Sequence, residues 1–332
     1  MQDNFLYDII IIGGGPAGLT AGMYTSRARL KSLLLNSYTI PGQAISTHLI
    51  ENYPGFPEGI GGFELVEQFE KQAQGFGLTI YPDAAKSVQQ VRWQDADIWQ
   101  IEAEDGIYRA ISLIIATGAS HKKLGVPGES EFLGKGVSYC ATCDGPLYRN
   151  RPIVVVGGGD AAVEEALFLT RFSPKVTLIH RRDNLRATEI LQERLFANKN
   201  IEVVWDSVVT DVLGSDVVEG VRIRNVKTQK DTELSCSGIF VFIGLVPNTH
   251  LFQGIIEIDD NGYITTNENM MTNQEGVFAC GDCRQKTLRQ VVTACGDGAI
   301  AGFAVNTWLE HHHATAVGAI HELPLLQSHP SF

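Results

Sequence analysis

The 332-residue sequence has no surplus of basic charge, no long apolar run and few cysteines. Its 26 Lys and Arg are outnumbered by 38 Asp and Glu, for a net charge of −12. Nucleic acid needs a basic face to neutralise its phosphates, so no nucleic-acid partner is expected. No run of residues is long and apolar enough to span a bilayer, and Ile9-Ile10-Ile11-Ile12 is only of strand length. The opening Met1-Gln2-Asp3-Asn4 lacks the basic region and cleavage pattern of a signal peptide. A cytoplasmic protein with no membrane partner is expected. In that compartment a close cysteine pair is more often catalytic or metal-binding than a permanent staple.

What is present is glycine and a sizeable apolar fraction. The 34 glycines are too scattered for a fibre and too many for a helical bundle, and they serve mainly as turn punctuation. With 44% apolar residues, the chain suits two domains that each bury a core.

Tyr7-Asp8-Ile9-Ile10-Ile11-Ile12 does not alternate, which predicts a strand buried on both faces. Gly13-Gly14-Gly15-Pro16-Ala17-Gly18 comes next, then a helical pattern to about Arg29 and a second strand at Leu33-Leu34-Leu35. In this βαβ setting G-x-G-x-x-G predicts dinucleotide binding. The first glycine permits the tight turn, the second admits pyrophosphate, and the third brings helix close to strand. The second strand ends in Asn36, where a standard NAD site carries an acid on the ribose. The loop segments Pro41-Gly42-Gln43 and Glu51-Asn52-Tyr53-Pro54-Gly55 are rich in turn residues, a pattern that more often carries ligand than core. A helix is expected over 63–76, with Phe63, Val66, Phe69 and Ala73 facing the core. Residues 79–109 suggest short antiparallel strands, and Leu113-Ile114-Ile115-Ala116-Thr117-Gly118 a return to the parallel sheet.

A second unit repeats the plan. Ile153-Val154-Val155-Val156 precedes Gly157-Gly158-Gly159-Asp160-Ala161-Ala162, a helix to about Thr170, and a strand at Val176-Thr177-Leu178-Ile179. Gly157 to His180 is 23 residues, and so is Gly13 to Asn36. Here the second strand leads into His180, Arg181 and Arg182, with Arg186 beyond. Guanidinium forks suit a phosphate bidentately, which predicts NADP rather than NAD. Residues 201–243 read as a strand meander, and a last helix is expected from about Gln290 to Leu309. The first domain thus resumes after the second: 1–114 and 247–332 against 115–246.

Between the two glycine turns lies Cys140-Ala141-Thr142-Cys143-Asp144-Gly145. Its spacing is that of a redox pair or of half a zinc site. The possible mate for zinc, Cys280-x-x-Cys283, is too far along the chain for a compact zinc module, so no metal is expected. Cys280 and Cys283 read as small buried residues rather than a second redox pair, and Cys236 and Cys295 as core thiols. The run His311-His312-His313 opens a tail expected to be solvated.

These segments, together with Gly281-Asp282 and Arg289-Gln290-Val291, make the chain resemble the low-molecular-weight, bacterial-type NADPH-dependent thioredoxin reductases over about residues 5–310. The resemblance implies an α/β fold with two Rossmann-like domains, the second inserted into the first. It implies FAD in the first, held by Gly13, Gly15, Pro16, Ala17, Gly18, Asn36, Gly42, Gln43, Asn52, Thr117, Gly118, Asp282, Arg289, Gln290 and Val291. It implies NADPH in the second, held by Gly157, Gly159, Asp160, Ala161, His180, Arg181, Arg182 and Arg186. Electrons would pass from NADPH to FAD, then to a disulfide between Cys140 and Cys143, then to thioredoxin. Cys143 would be the flavin-side sulfur, Cys140 the interchange thiol and Asp144 the proton donor and acceptor. A homodimer is implied as well. Rival readings are a reductase of the same build for a peroxiredoxin-type protein or a small disulfide, and a flavin-bound redox sensor.

Overall fold

The computed structural model describes residues 5–37, 42–47, 49–94 and 96–316, without the side chains of Ser46, Cys143 and 313–316. The chain begins with β1 (Leu6–Ile12), α1 (Pro16–Arg27), β2 (Ser32–Leu35), α2 (Gln43–Ser46) and α3 (Gly62–Gly75). It continues through β3 (Thr79–Tyr81), β4 (Ala85–Trp93), β5 (Ala96–Ala103), β6 (Ile107–Ile115), β7 (Ala119–His121), β8 (Val137–Ser138) and α4 (Ala141–Asp144). Next come β9 (Ile153–Gly157), α5 (Asp160–Leu169), β10 (Val176–Ile179), α6 (Glu189–Ala197) and β11 (Ile201–Val204). A meander of β12 (Ser207–Gly214), β13 (Val218–Asn225) and β14 (Asp231–Ser235) precedes β15 (Gly238–Phe242) and β16 (Leu245–Pro247). The chain closes with β17 (Val277–Ala279) and α7 (Val291–Ala316).

The chain divides into two compact units. Of the described residues, the first holds 5–37, 42–45, 49–94, 96–119 and 247–316, and the second holds 120–246 with residues 46 and 47. The second unit starts five residues later than the break expected at 115. Ile115 is still in parallel register with Ile12 and Ala279, and Ala116 N donates to Ile12 O, so this segment is sheet of the first unit.

In the first unit the strand order is β3-β2-β1-β6-β5-β4, with β17 joining β6 on the edge opposite β1, beyond the end of β5. The parallel centre is nearly dry: Ile9, Ile10, Ile11, Leu33, Leu34 and Ile114 are fully buried. Each such side chain contributes about 1.5–3 kcal/mol of transfer free energy, which is why a non-alternating run sits here. Two expectations change. Leu113 does not open a separate strand, because β6 runs unbroken from Ile107, parallel to β1 from Arg109 onward and, on its other edge, antiparallel to β5 at one end and parallel to β17 at the other. Of residues 79–109, β3 is parallel to β2 rather than antiparallel.

α3 buries Leu65, Val66 and Ala73, but Phe63 is 65% exposed. Phe63 falls to one side of the stripe that Val66, Phe69 and Ala73 define at helical spacing, and Leu65 takes the core place. α7 outruns its expected end because His312 stacks on Trp308 and bonds Glu275 Oε1 at 2.6 Å. This gives His312 a place in the fold, where a solvated tail was expected to begin.

The second unit stacks β11-β10-β9-β15-β8 as a parallel sheet. β12, β13 and β14 form an antiparallel sheet. Ile153, Val154, Val155, Ile239, Phe240 and Val241 fill the sheet core.

Candidate functional site

Both glycine turns are shaped by backbone proximity. Gly13 has φ +115°, and a Cβ there would strike Ala116 O; Gly157 has φ +157°, and a Cβ there would strike Phe242 O. In each turn the middle glycine lies against the residue that ends the second strand. A Cβ on Gly14 would meet the Asn36 side chain, and one on Gly158 would meet the His180 ring. The next glycine of each turn, Gly15 and Gly159, faces open space with nothing within 4 Å. Pro16, Ala17 and Gly18 start α1, whose free N–H groups and positive dipole end face that space; Asp160 and Ala161 start α5 in the same way.

In the first unit, further polar groups gather. Gln43 Nε2 donates to Ala119 O at 2.7 Å, and Asn52 Nδ2 to Gln290 Oε1 at 3.0 Å. Thr117 Oγ1 donates to Asn248 O at 2.6 Å and Asn248 Nδ2 returns a bond to Thr117 O at 2.9 Å, which fixes the bend at Gly118. Gly42 is exposed with open space around it. Arg289 lies 4.0 Å over the Tyr263 ring, and its Nε is buried without a partner. Val291 opens α7, whose first turn is held by the bond from Ala294 N to Gln290 O. Asp282 Oδ1 is also buried and unpartnered. Burial pushes the Asp282 carboxyl above its ordinary range, while Lys286 and Arg289 pull it back. An orphaned acceptor of this kind costs about 1–3 kcal/mol, so Asp282 Oδ1 has room for a hydrogen-bond donor.

Three residues around this turn escaped the sequence reading. Asp297 Oδ2 accepts bonds from Gly281 N, Arg284 Nε and Lys286 Nζ. Asp297 is 16 residues from Gly281, and only the return of α7 joins them. An acid in a glycine-rich helix start was the available signal.

In the second unit the loop after β10 is tied to the glycine turn at several points. Arg186 N donates to Gly158 O at 2.7 Å, and Thr188 N to Asp160 Oδ1 at 2.6 Å. His180 is buried, with Nδ1 2.8 Å from Gly157 O and Nε2 3.0 Å from Asn184 O. Arg181, Arg182 and Arg186 are exposed, and no described carboxylate pairs with them. The nearby acids Asp183 and Asp206 are both taken by Lys227, at 3.1 and 3.0 Å. The loop therefore presents three guanidinium groups without a protein anion to consume them.

Cys140 is half-buried and disulfide-bonded. Its N–H donates to Ser138 Oγ at 3.0 Å, and Asp144 N donates to Cys140 O at 3.2 Å in the single turn of α4. The Cys143 side chain lies outside the described residues. The preceding residue is anchored: Tyr139 OH donates to the buried Glu129 carboxylate at 2.6 Å, which also accepts from Leu124 N and Gly125 N. Burial, with Glu129 second, pushes the Tyr139 phenol up, and burial pushes the adjacent His121 down. The other four cysteines are free. Burial pushes the Cys236 thiol up to about 12 and Cys283 up to about 11, and raises Cys280 and Cys295 as well. Protonated thiols out of contact with water are poor nucleophiles, so Cys280 and Cys283 are packing residues. No group of His, Cys, Asp and Glu among the described residues could hold a metal ion.

The pyridine nucleotide-disulphide oxidoreductase family model matches residues 7–298. A thioredoxin reductase of Treponema pallidum is 47% identical over 304 residues, covering 92% of this chain and 97% of that protein. One from Bacillus subtilis is 43% identical over 317 residues, covering 95% and 98%. The crystal structure of Lactococcus lactis thioredoxin reductase in its FR conformation superposes with a TM-score of 0.88 at 45% identity, covering 92% of this chain and 99% of that one. Twin glycine turns, a cysteine pair between them and matches spanning almost the whole length have one reading: the chain belongs to the pyridine nucleotide-disulphide oxidoreductase family.

Proposed function

We propose that this chain reduces thioredoxin with electrons from NADPH, through a redox disulfide between Cys140 and Cys143. The observation that carries the reading is the contrast among cysteines: Cys140 is in a disulfide and half-buried, while four thiols elsewhere are free and raised by burial. The relatives named thioredoxin reductase supply the partner. FAD suits the first unit, where Asp282 Oδ1 is orphaned, Arg289 Nε is unpartnered and the space over Gly15 is open. Gly13, Gly15, Pro16, Ala17 and Gly18 would hold its pyrophosphate, and Asp282 its hydroxyl-bearing chain. Asn36, Gly42, Gln43, Asn52, Thr117, Gly118, Arg289, Gln290 and Val291 would line the rest. Bound there, FAD supplies the two-electron exchange between a nicotinamide and a disulfide.

The second unit suits NADPH. Gly157, Gly159, Asp160 and Ala161 cradle the pyrophosphate at the start of α5, where helix N–H groups are unsatisfied. Arg181, Arg182 and Arg186 take the 2′-phosphate, and His180 fixes their loop to the glycine turn. Once Cys140 and Cys143 are reduced, the Cys140 thiolate attacks one sulfur of the partner disulfide. The other partner sulfur leaves and takes a proton, which Asp144 would give. The Cys143 thiolate then attacks Cys140, re-forming the disulfide and releasing the partner as a dithiol.

The same reading includes a homodimer. Its support is an apolar surface on α1 and α7, where Tyr24, Ile300 and Phe303 line an open cavity of about 450 Å³ and Phe303 is 68% exposed. A cytoplasmic site of action also belongs to it, supported by the four free thiols.

Thioredoxin-dependent NADPH oxidation by Cys143→Ser tests the proposal. The variant is expected to keep its yellow flavin and lose thioredoxin reduction by roughly a thousandfold or more. Normal turnover would overturn the disulfide assignment.

A further inference from the structure

The Asp297 cluster does more than hold a turn. A single carboxylate oxygen, Asp297 Oδ2, serves Gly281 N at 3.1 Å, Arg284 Nε at 3.0 Å and Lys286 Nζ at 2.8 Å. The Lys286 side chain is only 7% exposed, Asp297 10% and Arg284 15%. Burying a cation costs several kcal/mol, and one carboxylate satisfies one cation. A purely structural bridge from α7 to the 281–286 turn needs either Arg284 or Lys286, not both. The nearby Asp282 and Arg289 bring the total to three cations (Arg284, Lys286, Arg289) and two carboxylates (Asp282, Asp297), a surplus of one positive charge. Burial moreover pushes Asp282 toward its neutral form, which enlarges that surplus. A buried surplus persists where a ligand of opposite charge completes it. The unpartnered Asp282 Oδ1 and Arg289 Nε mark the same place as a ligand site.

We propose that Lys286, fixed by Asp297 beside Asp282, supplies buried positive charge that favours the reduced, anionic form of the flavin. The inference rests on the flavin reading of the first unit. A flavin that takes up two electrons and one proton becomes an anion, whereas its pyrophosphate bears the same charge in both states. A cation in this low-dielectric site therefore raises the flavin's reduction potential if it acts on the ring, and leaves it unchanged if it serves only the phosphates.

The test is a reductive titration against a reference dye, in protein carrying Cys140→Ser and Cys143→Ser so that only the flavin titrates. Lys286→Met is expected to move the potential negative by about tenfold in the two-electron equilibrium, about 30 mV. Asp297→Asn removes a negative charge at constant shape and is expected to move it positive by a similar factor. Lys286→Arg should restore the original value. A packing role would disturb both variants in the same direction, so shifts of one sign, or none, overturn the proposal. If Lys286→Met does not fold, the positive shift of Asp297→Asn alone carries the test. Flavin content is read before each titration. Protein that takes up no FAD without these substitutions would sink the flavin reading itself, whereas bound flavin with unmoved potentials sinks only the role of Lys286.

Discussion

The two glycine-turn modules use the same 23-residue plan and differ in what is packed on their helices. In the first, α7 lies across α1 at backbone distance: a Cβ on Gly298 would strike Ala17 O, and one on Gly302 would come within 2.8 Å of Tyr24 Cβ and 2.9 Å of Ala21 O. Ala21 is fully buried. In the second, the matching position on α5 is Glu165, whose carboxyl is pushed up to about 7 by burial and then by Glu164. One module packs a helix carried back from the end of the chain, and the other holds a buried carboxyl at the corresponding place. The first module has neutral Asn36 against its middle glycine, and the second has His180 leading into three arginines. One backbone plan thus carries two different settings, which differ in the side chains beyond the second strand and in the packing over the helix.

The largest break in this comparison is Gly298→Val. The added side chain meets the α1 backbone, which cannot give way as a flexible side chain would, so the first unit should lose about 3 kcal/mol or more and much of its flavin. Thermal melts with flavin absorbance check it, and an unchanged melt would mean that α7 is not tightly seated. Arg181→Ala with Arg182→Ala comes next. KM for NADPH should rise about 10- to 100-fold, with little change for NADH, as expected for lost charge-assisted bonds. An unchanged preference for NADPH would remove the case for a 2′-phosphate site.

Glu165→Gln sharpens the contrast between the helices. Because the folded value, about 7, lies above the unfolded one, the native state binds the extra proton and stability falls as pH rises from about 4.5 to about 7. The variant should gain stability above that window, at most about 3 kcal/mol at 1.36 kcal/mol per pH decade and about 1–2 after allowance for partial solvent access. Below about pH 4.5 the gain should vanish, and denaturant titrations at pH 4 and 8 would show either outcome. The smallest effect is His312→Ala, which removes the bond to Glu275 and the stack on Trp308 at the α7 end. A loss of about 0.5–1 kcal/mol is expected by urea denaturation.

The sequence disclosed those features that depend on neighbours in the chain. The dry strand before Gly13, the turn itself and the repeat at Gly157 are all local, so they could be read directly. The arginines after β10 were legible for the same reason. Errors came where a periodic pattern was shared between faces or where partners are distant. Phe63 fitted a helical stripe but sits at its edge, and the strand through Ile107 and Ile115 hid a change from antiparallel to parallel pairing that no single residue marks. The grip of Asp297 on Gly281, Arg284 and Lys286 was invisible, because it exists only once α7 returns.

The sequence by itself determined two glycine-turn modules of dinucleotide-binding pattern, a cysteine pair at redox spacing and a cluster of arginines after the second strand of the second module. Each rests on turn geometry or side-chain chemistry confined to a few adjacent residues. Tertiary structure alone decided which cysteines are free and buried, which module α7 packs on, and where a surplus positive charge is buried beside Asp282. Those outcomes depend on desolvation, and desolvation is a property of the groups packed on a residue rather than of its neighbours in the chain.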